Sequence, residues 1–318
     1  MASRGFIIRP AENVEEVSAL WWPLISKLGW NRDADDAITH FRVANNGKDW
    51  LLLIPEDSSK PEGTIVAFKY ANGTGWVGFF IVNAPFRGNG LGRELYKELE
   101  RSFRASNTTV VGLDGVEEQV NTYKRRGFQD IARIPLMTRS SLKQNPLSTA
   151  QSQRVGVEGD LLDIRSVDPK ILAKIDLDLT GLDRTAYWSH DGLLARCDAF
   201  GYALSSGPTS TSPLITGFIL VRRCEHGHRF GPLYADTYYA ALRLLFVAMN
   251  RVAESDGSLI AEVFGSNSDG RKVFEELGWT WAGLDYHRMW LDGRVPAEQQ
   301  PGGKGTKNMF AIFDASSG

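Results

Sequence analysis

The sequence predicts an α/β protein folded in two halves of similar length, and three observations lead there. Strand-like and helix-like segments alternate along the first half. A Ser/Gln-rich stretch, Ser140 to Gln153, lacks apolar periodicity and reads as a linker. Beyond it the second half repeats much of the first. At 318 residues the chain is long for one domain and comfortable for two.

In the first half Phe6 to Arg9 is strand-like and Val14 to Leu28 is helical. A second helix spans Asp33 to Asn45, with Ala37, Ile38 and Phe41 at helical spacing. Trp50 to Ile54, Gly63 to Tyr70 and Trp76 to Val82 are short, rich in β-branched and aromatic residues, and separated by turn signals such as Asn72-Gly73, so they read as strands. The clearest helix follows. Leu91, Leu95, Leu99 and Phe103 recur every four residues, while Glu94, Lys97, Glu98 and Arg101 fill the other face. A strand (Val110 to Leu113), a short helix (Glu117 to Arg125) and a strand (Phe128 to Met137) complete this half.

The second half offers a strand at Leu214 to Arg222, an apolar helix at Tyr238 to Val252, a strand at Leu259 to Phe264, a helix at Asp269 to Leu277 and a strand at Thr280 to Trp290. Its strongest echo of the first half sets Phe274-Glu-Glu-Leu-Gly-Trp279 against Tyr123-Lys-Arg-Arg-Gly-Phe128. Each places an aromatic four residues before a Gly-aromatic pair, which reads as a degenerate internal duplication. A polar segment from Gly293 to Lys307 leads to a last short strand at Met309 to Phe313.

Composition narrows the function. Apolar residues make up 42% and charged residues 23%, ordinary for a globular protein. The net charge of −2 gives no global attraction to nucleic acid or anionic lipid, so neither is expected as a partner. No stretch approaches the ~20 apolar residues of a membrane span. The three-residue apolar run Phe6 to Ile8 is too short for a secretory signal, and Cys197 and Cys224 cannot make a disulfide framework. A cytoplasmic location is the expectation. Cys224, His226 and His228 lack a second ligand cluster at zinc spacing, so no metal is expected.

The chemistry concentrates in Gly78 to Gly92. A strand runs into Arg87-Gly88-Asn89-Gly90-Leu91-Gly92, and the amphipathic helix begins there at once. Glycines bring backbone N–H groups close to a ligand, and the unpaired N–H groups and positive dipole end of the helix face it. This suits a pyrophosphate. The nearby Gly73-Thr-Gly-Trp-Val-Gly78 matches a dinucleotide pattern but leads into a strand, so it fails that motif's own context.

The run Val82-x-x-x-Phe-Arg-Gly-x-Gly-Leu-Gly92 resembles motif A of the GNAT acyltransferases, and Tyr123-x-x-x-Gly127-Phe128 resembles the end of their motif B. Gly29-Trp-Asn31 with Asp36, and Gly112-Leu-Asp-Gly-Val116 with Gln119, are similar to the YitH/HolE-type proteins of that family, as are Gly181-x-x-Arg184, Gly231-Pro232 and Arg288-Met289. The resemblance implies two tandem GNAT-like domains, each a mixed, largely antiparallel sheet flanked by helices. Residues 1–140 would bind acetyl-CoA, 141–159 would link, and 160–318 would form a degenerate domain shaping the acceptor site. A chain cut near Ser148 would then keep some CoA binding. The asparagine common in motif B has no counterpart, because Asn121 stands too close to Tyr123.

The resemblance also implies roles. Arg87, Gly88, Asn89, Gly90, Leu91 and Gly92 would bind the acetyl-CoA pyrophosphate. Ile81 and Val82 would hold pantetheine through their main chain. Tyr123 matches the tyrosine that protonates the leaving thiolate. Asp114 is a candidate base or amine anchor, with a turn-forming role as the rival. Trp30 is a candidate pocket wall, Asp36 a candidate anchor for a cationic acceptor and Arg184 a candidate clamp for an acceptor carboxylate. For Asp36 the rival is a helix N-terminus, and for Arg184 an ion pair. The second half lacks the glycine loop, its matching region reading Arg229-Phe-Gly-Pro-Leu-Tyr234. The expected activity is transfer of an acetyl group to a primary amine of an amino acid, polyamine, amino sugar or amine metabolite. A protein or peptide N-acetyltransferase and a non-catalytic acyl-CoA sensor are the alternatives. A monomer is consistent with tandem domains that mimic a dimer.

Overall fold

Alternating apolar side chains give the first-half strands two buried faces, and a computed structural model of the chain shows what covers each. Leu51 and Leu53 of one strand join a cluster with Leu95 and Leu99 of the long helix, while Trp50 and Leu52 join Val17, Trp21 and Ala37 of the first two helices. The structure describes residues 5–153, 159–206 and 214–318. Part of the expected linker, 154–158, lies outside the described residues.

The first half runs β1 (Phe6–Pro10), α1 (Val14–Lys27), α2 (Asp36–Val43), β2 (Trp50–Pro55), β3 (Gly63–Lys69), β4 (Thr74–Val82), α3 (Leu91–Ala105), β5 (Val110–Gly115), α4 (Val120–Lys124) and β6 (Phe128–Ser140), with α5 (Thr149–Gln153) in the linker. The second runs β7 (Asp160–Asp163), α6 (Pro169–Thr180), β8 (Ala199–Ser206), β9 (Leu214–Cys224), β10 (Gly227–Ala235), α7 (Tyr238–Arg251), β11 (Ser258–Glu262), α8 (Gly270–Glu276), β12 (Thr280–Leu291), α9 (Gly305–Asn308) and β13 (Met309–Ala311). Local signals place the helix starts. Asn13 caps α1 by accepting from the Glu16 N–H at 2.8 Å, and Asp168 with Pro169 opens α6.

Among the described residues the thirteen strands join one sheet in the order β1-β2-β3-β4-β5-β12-β6-β11-β10-β9-β8-β7, with β13 on β10. The halves repeat each other, but their last strands are exchanged. β12 pairs antiparallel with β5, and β6 pairs with β11. The two long strands also pair with each other at the centre, from Thr280↔Thr138 to Leu291↔Phe128. Residues 1–140 therefore do not close their own sheet. A chain cut near Ser148 would lose β12 from beside β5.

After β13 the chain turns into the interior between the halves. The Trp76 Nε1–H donates to the Ala315 carbonyl at 3.0 Å and the Tyr70 hydroxyl to the Ser317 carbonyl at 2.7 Å. A Cβ on Gly78 would lie 2.6 Å from the Ser316 carbonyl oxygen, so only glycine lets the tail cross β4 this closely.

Candidate active site

β4 and β5 run parallel and paired only from Thr74–Trp76 to Val110–Gly112. Beyond that they part, leaving a cleft of about 330 Å³. The cleft brings together Trp30, Ile81, Val82, Arg87, Asp114 and Tyr123. On its β3 side β4 is bulged, with the register shifting between Gly78↔Val66 and Ile81↔Thr64. Phe79 takes φ 47° at the bulge, a conformation that strains a bulky residue and recurs at functional sites.

At one end of the cleft β4 leads into the glycine turn. Gly88 and Gly90 hold φ 82° and 81°, and a Cβ on either would meet nothing within 4 Å. None of the backbone N–H groups from Gly88 to Gly92 has a hydrogen-bond partner among the described residues, and Gly90 caps α3 without a side chain. The open space and the row of free donors fit a pyrophosphate. The Arg87 Nε–H donates to the Val82 carbonyl at 2.6 Å and so ties the turn back to the strand. Gly92, by contrast, sits in the helix with ordinary space around it.

Beside Gly90 lies a second hollow lined by Arg93, Thr122, Arg125 and Arg126. Arg126 is held over the Tyr96 ring at 4.2 Å. The sequence analysis did not single out these arginines beside the turn. The signal was the run Lys124-Arg125-Arg126 just before Gly127.

Tyr123 is buried on α4 with its ring against Phe128, and a Cβ on Gly115 would come within 3.0 Å of that ring. Its hydroxyl has no protein partner among the described residues. Burial pushes its pKa up to about 12, so it stays a neutral proton donor at neutral pH. Asp114 is differently placed. The Arg288 Nε–H and Nη2–H reach its two oxygens at 2.9 and 2.7 Å, and its side chain is fully buried. Burial pushes its carboxyl up to about 6 against the pull of Arg288. With both oxygens on one guanidinium, Asp114 fixes β12 to β5 at the edge of the cleft.

Two candidates lie away from the cleft. Asp36 is buried at 1% exposure, taking a 2.6 Å hydrogen bond from Arg196 Nη1 with Arg222 at 3.8 Å, and it opens α2. Arg184, at 2% exposure, donates to Asp176 at 3.0 and 2.5 Å, to the Tyr234 hydroxyl at 3.0 Å, and to the Gly318 carbonyl. Neither can anchor an acceptor, because each is committed to a buried ion pair that knits the fold. Trp30 stays at the cleft wall. Residues missed there are Arg32, Tyr286, Ala315 and Ser316, which reach the cleft from a loop, the exchanged strand and the tail.

The second half keeps the scaffold and fills the groove. β10 and β11 pair only over Gly227–Arg229 and Ser258–Ile260, and β10 is bulged between Phe230 and Leu233 as β4 is. Into the opening goes β13, pairing Leu233↔Ala311 and Tyr234↔Met309, with Val263↔Ala311 on the other side. Arg229 to Tyr234 thus lies within β10 and is not the loop's counterpart, a correction to the sequence match. The counterpart is the short turn at Asp236-Thr237, where the Thr237 hydroxyl accepts from the Ala240 N–H at 3.1 Å and uses up a donor that α3 leaves free.

Among the described residues no group of three or more His, Cys, Asp or Glu side chains converges as a metal site requires. No helix among them is long and apolar enough to cross a membrane.

A splayed strand pair, a bulge at its mouth and a bare glycine-turned helix N-terminus define an acyl-CoA-type acyltransferase fold, here in tandem. Residues 14–128 match the Acetyltransferase (GNAT) family, and the chain is an acyltransferase carrying that family's domain. It is 24% identical over 237 residues to holothin acyltransferase of Pseudoalteromonas sp. (strain SANK 73390), covering 73% of this chain and 70% of that one. In fold it is similar to a Pyrococcus horikoshii chain described as a candidate acetyltransferase, with TM-score 0.72 and 20% identity over 100% of this chain and 98% of that one. It is also similar to a tandem GNAT protein from the clavulanic acid biosynthesis pathway, with TM-score 0.62 and 12% identity over 90% and 98%.

Proposed function

We propose that this chain is an N-acetyltransferase that moves an acetyl group from acetyl-CoA to a primary amine of a small molecule, by direct attack in a ternary complex. One observation carries the reading. A cleft lined by Arg87 and by Tyr123, a neutral tyrosine with no protein partner for its hydroxyl among the described residues, lies next to the turn whose backbone N–H groups from Gly88 to Gly92 are unpaired among those residues. Bound acetyl-CoA supplies an activated thioester carbonyl. The loop from Gly88 to Gly92, with Arg93, Arg125 and Arg126 beside it, holds the phosphates. Ile81 and Val82 border the pantetheine path with backbone groups that β5 leaves unpaired. Tyr123 holds a proton for the departing sulfur. The Pseudoalteromonas relative, named a holothin acyltransferase, also supports acyl transfer.

The test is acetyl-CoA turnover by the full chain against a panel of amines. Release of CoA with acetylated amine is the expected result. CoA binding without turnover of any amine would make the chain a sensor, and activity confined to peptides would make it a protein acetyltransferase. Either overturns the reading.

Two further outcomes follow. Gly90→Val adds a strained branched residue at a positive φ and fills the anion cradle, so CoA affinity is expected to drop about 30-fold, or ~2 kcal/mol. Calorimetry on the folded variant giving wild-type affinity would remove the loop from the site. The second concerns stoichiometry. Because β13 fills the second-half groove, the same titration of the native chain should give one CoA per chain, and two equivalent sites would refute the degenerate role of that half.

A further inference from the structure

We infer that the tail residues Ala315 and Ser316 gauge the acyl chain of the donor, admitting a short group such as acetyl and turning away longer ones. This rests on the proposed use of acetyl-CoA and adds how the cleft selects its donor.

The path along β4 has a direction. Val82, Ile81, Phe80, Phe79 and Val77 line the cleft in that order away from Arg87. A donor whose phosphates sit at the glycine turn reaches in along this strand with its acyl group leading. Past Val77 the cleft is shut, because there β4 pairs with β5 at Trp76↔Gly112. The tail crosses the strand at the same place. The Ser316 carbonyl oxygen lies 2.6 Å from where a Cβ on Gly78 would stand, and both Ala315 and Ser316 line the cleft. Gly78 is four residues from Val82, roughly 13 Å along a strand that rises ~3.3 Å per residue. An acyl chain entering beside Arg87 therefore meets the tail end on.

The tail is braced against being pushed aside. The Ala315 N–H donates to Glu262 Oε2 at 2.7 Å, and the Ala315 carbonyl accepts from Trp76 Nε1 at 3.0 Å. The Ser316 N–H donates to Asp314 at 2.8 Å, and the Ser316 hydroxyl accepts from Arg32 Nη2 at 2.9 Å. Glu262 and Asp314 are themselves paired with the buried arginines Arg229 and Arg222. Trp76 in turn packs edge-on against Trp290 with centroids 5.4 Å apart, and a Cβ on Gly112 would stand 2.3 Å from the Trp76 ring. A wall packed this closely has no slack, so an added methylene must strain it or leave the path.

Position sets the gauge more than bulk does. Ala315 and Ser316 are small and each is 7% exposed, so it is the backbone that brings them up to β4. Trimming either side chain lengthens the path by about one carbon.

The experiment measures CoA release by the full chain from acetyl-, propionyl-, butyryl- and hexanoyl-CoA, with the most active amine of the panel above. Native kcat/KM is expected to fall about tenfold or more from acetyl to butyryl. Ala315→Gly and Ser316→Gly, checked for folding by circular dichroism, are expected to raise the propionyl-to-acetyl ratio about tenfold. Residues that only held the fold would lower all the rates together and leave that ratio alone. Equal or better use of hexanoyl-CoA by the native chain, or an unchanged ratio in both folded variants, would overturn the inference and leave the acetyltransferase reading standing. Turnover of none of the donors with any amine would overturn that reading. Calorimetry then judges the gauge by itself, and equal affinity for acetyl- and hexanoyl-CoA would overturn the inference as well.

Discussion

Replacing Asp314 with asparagine is expected to cost the fold about 3–5 kcal/mol, because it takes the nearer counter-charge from two buried guanidiniums and leaves them only Asp36, at 4.0 Å from Arg32 and 3.8 Å from Arg222. Arg32 reaches Asp314 through both terminal nitrogens, with Nη2 at 2.7 Å, and Arg222 Nη2 lies at 2.6 Å. The carboxylate is fully buried and also accepts the Ser316 N–H at 2.8 Å, which sets the tail beside the cleft. The two arginines hold its pKa well below the ordinary value of 3.8. A depressed carboxylate stabilises the fold fully above its unfolded pKa and loses that contribution as the pH falls through the folded one. The native chain should therefore lose stability in acid below about pH 4, and Asp314→Asn should lose much of that dependence. Urea denaturation at neutral pH and in acid measures both. A loss under about 1 kcal/mol would mean that water or a rearranged partner compensates the arginines.

Tyr123→Phe is expected to lower kcat by about 10², with CoA affinity nearly unchanged. The substitution removes one hydroxyl and keeps the ring that packs against Phe128 at 6.1 Å between centroids. That hydroxyl is the group whose raised pKa keeps it protonated at the pH where sulfur must leave. Steady-state rates together with a CoA titration separate the possibilities. A wild-type kcat would leave Tyr123 a packing residue, and a matching loss of CoA affinity would place its hydroxyl in binding.

The candidate donor site was legible because it is local. The strand, the glycine turn and the helix follow one another within Gly78 to Ala105, and the helix shows its buried stripe at Leu91, Leu95, Leu99 and Phe103. Hydrophobic spacing and glycine placement are read over a few residues, so the sequence alone determined the strand-turn-helix, the position of Tyr123 before Gly127-Phe128, and the duplication. The second half was harder to read. β7, α6, β8 and β10 had no assignment, partly because β10 breaks its own pattern with Gly231-Pro232 inside the bulge.

What only the tertiary structure decided is pairing across long separations. Asp36 and Arg196 lie 160 residues apart, and Arg288 and Asp114 lie 174 apart. A carboxylate that will meet an arginine in the core looks, in sequence, the same as one that will face a substrate. For that reason Asp36, Asp114 and Arg184 stood as acceptor candidates until their partners were seen. The exchange of β6 with β12 is equally invisible, since either strand carries the same apolar alternation whichever sheet receives it. The tail gives no local sign of its place, because small residues such as Ala315 and Ser316 fit beside Gly78 only once two halves meet around them. Local chemistry marked the candidate donor site, and long-range packing decided which side chains line the cleft beside it.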